Sequence, residues 1–119
     1  MKIAIGGLKK NEMEAAIKRA CPDIETVITT DMGAVPMLKS GQVDYYFGGC
    51  ESGGGAAIAI LIGMIGYSKC CTVCKNGGKP NKEEMKKFID EGKVVFGMTV
   101  EMIDETVPLL VEALLEKNQ

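Results

Sequence analysis

The stretch GGCESGGGAAIAILIGMIGY, residues 48–67, decides the reading of this chain. Five glycines fall in its first eight residues, and an almost unbroken apolar run follows. Ahead of it Val43, Asp44, Tyr45, Tyr46 and Phe47 have the composition of a strand. The order is therefore strand, glycine-rich turn, apolar helix. Such a turn leaves backbone N–H groups free at a helix N-terminus, where the macrodipole favours an anion. The same residues also suit a tight turn that lets an apolar helix lie close on a sheet.

Outward from this stretch, strands and helices alternate. Residues 2–7 alternate as a first buried strand and stop at Gly6 and Gly7. Asn11 is placed to cap a helix running to Ala20, with Met13, Ala16, Ile17 and Ala20 on one face and Pro22 beyond its end. Residues 24–30 are β-branched and read as strand two. Thr30 or Asp31 can cap a second helix, with Pro36 inside it and Gly41 just past its end. Strand three is read at residues 43–48, helix three at 54–66 and strand four at 69–74. Asn81 caps a fourth helix over residues 82–91, which Gly92 ends, and strand five follows at residues 94–97. The last helix spans residues 100–117. Pro108 falls within it and predicts a kink or two pieces meeting there.

Five strands alternating with five helices predict one domain, residues 1–119, with a parallel sheet covered on both faces. The expected fold is a three-layer α/β/α, Rossmann-like arrangement in the flavodoxin-like order 2-1-3-4-5. Its switch point would bring Gly6, Gly7, Leu8 and Lys9 beside residues 49–55, across a crevice. Helix three is apolar on all sides, which predicts burial against a second subunit through residues 56–65 and hence a homo-oligomer.

Composition narrows the functions. With 119 residues and a net charge of −2, the chain has no basic bias, so nucleic acid and anionic membrane are not expected partners. The longest apolar run, residues 56–66, is too short to span a bilayer. The N-terminus enters a strand pattern with no secretory signal ahead of it, so the expected location is cytoplasmic. Five cysteines without a disulfide spacing suit a reducing compartment. The chain holds no histidine and no tryptophan. That removes imidazole catalysis, histidine metal ligands and an indole stacking platform. No cofactor and no metal are expected.

The chemistry-bearing residues gather at the turn. Cys50 stands where strand three ends, and a thiol beside a helix N-terminus can act as nucleophile or base; it is equally a common small core residue. Glu51 is a candidate acid–base partner or a solvated loop charge. Ser52 can donate its hydroxyl to a ligand or cap helix three. Gly7, Gly49, Gly53, Gly54 and Gly55 are the candidate ligand-binding glycines. Cys71 and Cys74 have CxxC spacing, but residues three apart on a strand point to opposite faces, so packing is the expected role. Lys75, Lys79 and Lys82 could reach a phosphate or remain solvated.

The whole chain resembles an uncharacterised bacterial family, the YhfU-like domain of unknown function, through residues 40–57 (SGQVDYYFGGCESGGGAA) and IGY at 65–67. More distantly it is similar to ribose-5-phosphate isomerase B and the galactose-6-phosphate isomerase subunits. MKIAIG, residues 41–55 and residues 95–114 carry that likeness. It implies a Rossmann-like fold, an oligomer, a cysteine base at Cys50, and loop amides that hold a developing enediolate oxygen. The Asp-His pair after that family's first strand is here Gly7-Leu8, its ring-opening and phosphate-binding histidines have no counterpart in a chain without histidine, and its arginines have none either, Arg19 being the only arginine. The likeness therefore implies the fold and an anion-holding loop, not sugar-phosphate isomerisation as such. The expected function is binding of a small anionic metabolite, phosphorylated compounds included, with isomerase-like proton transfer as the chemistry. The alternative is a non-catalytic structural or regulatory oligomeric subunit.

Overall fold

The computed structural model describes residues 1–53 and 58–119. Five strands, β1 (Lys2–Gly7), β2 (Glu25–Ile28), β3 (Tyr45–Cys50), β4 (Cys70–Cys74) and β5 (Val95–Thr99), form one sheet in which every pairing is parallel. Five helices connect and follow them: α1 (Lys10–Ala20), α2 (Asp31–Ser40), α3 (Ala59–Met64), α4 (Lys82–Asp90) and α5 (Ile103–Lys117). The fold is the expected Rossmann-like α/β class, with β1 and β3 adjacent at the middle.

The strand order is 2-1-3-5-4, not the expected 2-1-3-4-5. Gly97 of β5 lies beneath the entry to α3. A Cβ there would sit 3.2 Å from Ile58, so the missing side chain lets the entry to α3 settle directly over β5. All five residues of β5 are buried, as an interior strand should be, and β4 takes the edge.

The exchange also redistributes the helices. A right-handed crossover that moves one way across the sheet puts its helix on one face, and the reverse move puts it on the other. The steps β1 to β2 and β4 to β5 run the same way, so α1 and α4 share a face, where both pack on α5. The steps β2 to β3 and β3 to β4 run oppositely, and α2 packs with α3 on the second face. Alternation along β1 serves both cores: Ile3 and Ile5 join Met13, Ile17, Phe47, Phe96 and Leu110, while Ala4 joins Ala34, Val35, Tyr46 and Leu61.

Several local features follow the residues. Thr30 accepts the Gly33 amide with its hydroxyl, and Asn81 accepts the Glu84 amide with its side-chain oxygen, so both helices start on a side-chain cap. Gly41 ends α2 in the left-handed region at φ 80°. Asn11 does not cap α1. The helix begins two residues earlier than that cap would place it, at Lys10 after Lys9, which itself takes a left-handed φ of 53°. Pro108 neither ends nor divides α5, and the two helical pieces meet instead at Ile103, after a 3-10 turn over Val100–Met102. Pro108 and Asp104 are both exposed, so the Asp104 carbonyl that lacks a proline N–H can turn to water.

The expected start of helix three, at Gly54, lies outside the described residues. Within them α3 buries Leu61, with Ile58 just ahead of it, while Ile60 and Met64 are 37% and 51% exposed. With α4 on the opposite face, the described residues of one copy of the chain leave Ile60 and Met64 of α3 uncovered.

Candidate functional site

Cys50 is the last residue of β3, paired with Thr99 of β5, and its side chain belongs to the core beneath α2 and α3. On one side of this strand end lies the turn after β1. Gly7 and Gly49 face each other in register, and the Leu8 amide donates to the Gly49 carbonyl at 2.8 Å. A Cβ on Gly7 would fall 2.2 Å from that carbonyl oxygen. The two glycines meet backbone to backbone.

The turn after Cys50 leans the other way, over the ends of β5 and β4. The Thr99 hydroxyl donates to the Glu51 carbonyl at 2.9 Å, and the Asn76 amide donates to the Ser52 carbonyl at 2.7 Å. Gly53 is buried at φ 68°, and a Cβ there would lie 2.4 Å from the Cys74 carbonyl oxygen and 2.7 Å from the Thr99 nitrogen. Only glycine fits on both counts. Its amide donates to the Cys50 sulfur at 3.0 Å. The Ser52 hydroxyl stands 3.8 Å from the same sulfur.

The structure thus brings Cys50, Ser52 and Gly53 together around one sulfur atom. Glu51 is exposed beside them. Gly54 and Gly55 lie outside the described residues. Gly7 and Gly49 adjoin the group through the β1 turn but are occupied with each other.

Two residue groups stand apart. Cys71 and Cys74 share one core, against the expectation of opposite faces, because the register slips between Thr72 and Cys74 and turns the strand end over. All five cysteines are free thiols. Burial pushes the Cys71 thiol up to about 12, against the lowering effect of Lys93, which marks it as unreactive packing. Among the described residues no group of three or more cysteine, aspartate or glutamate side chains could hold a metal. Of the lysines after β4, Lys82 is engaged by Glu112 and Glu116, while Lys75 and Lys79 are exposed.

Tyr46, read in the sequence only as a strand residue, has a fully buried hydroxyl with no hydrogen-bond partner among the described residues. A Cβ on Gly6 would lie 2.2 Å from its oxygen. The signal was a tyrosine four residues before Cys50 and on the same face, beside a glycine that becomes its neighbour only once β1 and β3 pair.

A cleft of about 380 Å³ runs along the β4 edge, lined in part by Ile58, Ile62, Tyr67, Cys70 and Phe88. Tyr67 is 77% exposed. No helix among the described residues is long and apolar enough to cross a membrane.

Residues 1–114 match the model of a family described as "Protein of unknown function DUF2620". The chain is 43% identical over 114 residues to "Uncharacterized protein YhfU" of Escherichia coli (strain K12), covering 95% of this chain and 97% of that protein. The protein of the same name in Shigella flexneri matches to the same extent. No solved structure matches. The chain belongs to the DUF2620 family.

Proposed function

We propose that this DUF2620 protein binds a small anionic metabolite at the carboxyl end of β3, with Cys50 as the group that meets it. One observation carries the reading: the Gly53 amide and the Ser52 hydroxyl converge on the Cys50 sulfur at 3.0 and 3.8 Å. A sulfur that accepts the Gly53 amide at the carboxyl edge of a parallel sheet stands where such sheets place ligands. The chemistry suited to it is isomerase-like proton transfer. As a thiolate, Cys50 takes a proton from a hydroxyl-bearing carbon beside a carbonyl, the C–H pair forms a C=C bond as the carbonyl π pair moves to oxygen, and the proton is returned to the former carbonyl carbon as the neighbouring hydroxyl gives up its proton and becomes the new carbonyl. Exposed Glu51 is the neighbouring carboxylate that can carry a second proton.

The protein is further proposed to act as a cytoplasmic homo-oligomer, a second copy covering α3. The exposed Ile60, Met64 and Tyr67 support this. The competing reading, a non-catalytic oligomeric subunit, is favoured by the fit of Gly53 against Cys74 and Thr99, which makes the first half of the loop a strap over the sheet.

A thermal-shift screen of wild type and Cys50→Ala against inorganic phosphate, phosphorylated sugars and small carboxylates separates the two, because a bound ligand stabilises by mass action. A stabilising anion is expected for both proteins, with any turnover of it lost in Cys50→Ala. No stabilising anion for either would leave the structural reading standing.

A further inference from the structure

β4 is an edge strand, paired with β5 on one side and, among the described residues, with no strand on the other. An open edge presents a row of main-chain N–H and C=O groups to whatever lies beside it. Here it lies in the floor of the cleft of about 380 Å³. Three consecutive residues, Cys70, Cys71 and Thr72, line that cleft. Neighbouring side chains on a strand point to opposite faces, and those of Cys70 and Cys71 belong to the two separate cores. What the three residues share with the cleft is therefore their main-chain edge.

The walls fit an extended chain. Ile58 and Ile62 flank the edge on the α3 side, and Phe88 flanks it on the α4 side. A strand laid along β4 would turn successive side chains alternately toward the isoleucines and toward Phe88. β4 offers it five residues, an edge of about 17 Å.

Charge selects the occupant. Lys75 follows β4 directly, and Lys93 lines the cleft with its ammonium 5.7 Å from the centre of the Tyr67 ring. Lys93 precedes β5, whose Val95 pairs with the first residue of β4, so the two lysines mark the two ends of the edge. Among the described residues neither forms a salt bridge, and Glu91 is the one carboxylate on the cleft walls. A second copy of β4 suits this groove poorly. Antiparallel pairing about Thr72, the midpoint of β4, would set Lys69 opposite Lys75 twice, and like charges directly opposite destabilise a sheet. Ile60 and Met64, two residues to either side of Ile62, lie roughly 200° from it around α3, so a subunit contact made by them leaves the groove open.

We propose that the β4 edge binds an extended acidic segment of a partner protein, which adds to the sheet as a further strand. Its apolar middle packs between Ile62 and Phe88, and carboxylates at its two ends meet Lys75 and Lys93. Cys50 does not line this groove, so binding here and binding at the Cys50 turn are separately testable.

The test uses fluorescein-labelled peptides with the core Val-Ile-Val, flanked on both sides by pairs of Glu, of Gln or of Lys. A further peptide has the Glu flanks and N-methyl groups on its core amides. Binding to the full chain is measured by fluorescence anisotropy and mapped by amide shifts in nitrogen-15 spectra. The Glu peptide should bind about tenfold tighter than the Gln peptide, and the Lys peptide more weakly still. Shifts should fall on residues 70–75, and N-methylation should abolish binding, because it removes the main-chain donors while keeping the charge. Lys75→Glu should erase the preference for Glu flanks, and Lys93→Glu gives the same reading if that variant does not fold. Equal binding of the three flank types, binding that survives N-methylation, shifts centred elsewhere, or no binding at all overturns the proposal. Exchange protection of the β4 amides that grows with protein concentration in the absence of peptide would assign the edge to a second copy and overturn it as well.

Discussion

The amide of Gly53 donates to the sulfur of Cys50, the residue three positions before it, at 3.0 Å. This bond closes the first turn after β3. It also sets Gly53 against the ends of two other strands, with a hypothetical Cβ 2.4 Å from the Cys74 carbonyl oxygen. The position of the sulfur and the fit of the glycine are therefore coupled.

Gly53→Ala should accordingly destabilise the protein by about 2–3 kcal/mol, since it combines a left-handed φ with a backbone clash. Urea unfolding measures this directly. An alanine variant as stable as wild type would mean that the turn has another conformation open to it.

Thr99 is fully buried, and its hydroxyl donates to the Glu51 carbonyl at 2.9 Å. Thr99→Val keeps the shape and removes the donor, at an expected cost of about 1–2 kcal/mol. The same substitution should raise hydrogen exchange at residues 51–53 more than in α5. Uniform exchange across the chain would show that the hydroxyl does not hold the turn.

Cys71 gives a pH dependence with a definite sign. Its thiol is raised by burial from 9.0 to about 12, so the unfolded chain loses this proton first as pH rises. The contribution is complete below pH 9 and is lost between about pH 9 and 12. The thermal midpoint should fall through that window, and less so in Cys71→Ala. At pH 8 the folded protein should leave Cys71 unmodified by iodoacetamide while half-buried Cys21 reacts.

Much of the fold was legible because its signals are local. The caps at Thr30 and Asn81, the glycine stop at Gly41 and the span of β1 need only neighbouring residues to be read. The adjacency of β1 and β3 followed from parallel alternation and crossover handedness. The exchange of β4 and β5 did not, because strand–helix alternation is compatible with either order, and contacts such as that of Gly97 with Ile58 join residues far apart in sequence. The site shows the same division. Cys50, Ser52 and Gly53 were visible as one short motif. Tyr46 was not, since its unpaired hydroxyl becomes apparent only when Gly6 is brought beside it across the sheet.

The open side of α3 bears on assembly. Ile60 and Met64 should lie in a subunit contact, so Met64→Asp should shift the sedimenting species toward monomer with no change in helix content. A wild-type protein that sediments as a monomer at micromolar concentration would exclude the contact.

The central claim, a small anion held at the Cys50 turn, is tested most directly by a nuclear magnetic resonance titration of the nitrogen-15-labelled protein. Inorganic phosphate, glycerate and sugar phosphates are added in turn, and every backbone amide is followed. The account predicts saturable shifts at residues 50–53 for at least one anion, attenuated in Cys50→Ala and absent from the α4–α5 surface. Shifts that never saturate, or that follow the exposed lysines rather than this turn, would contradict it.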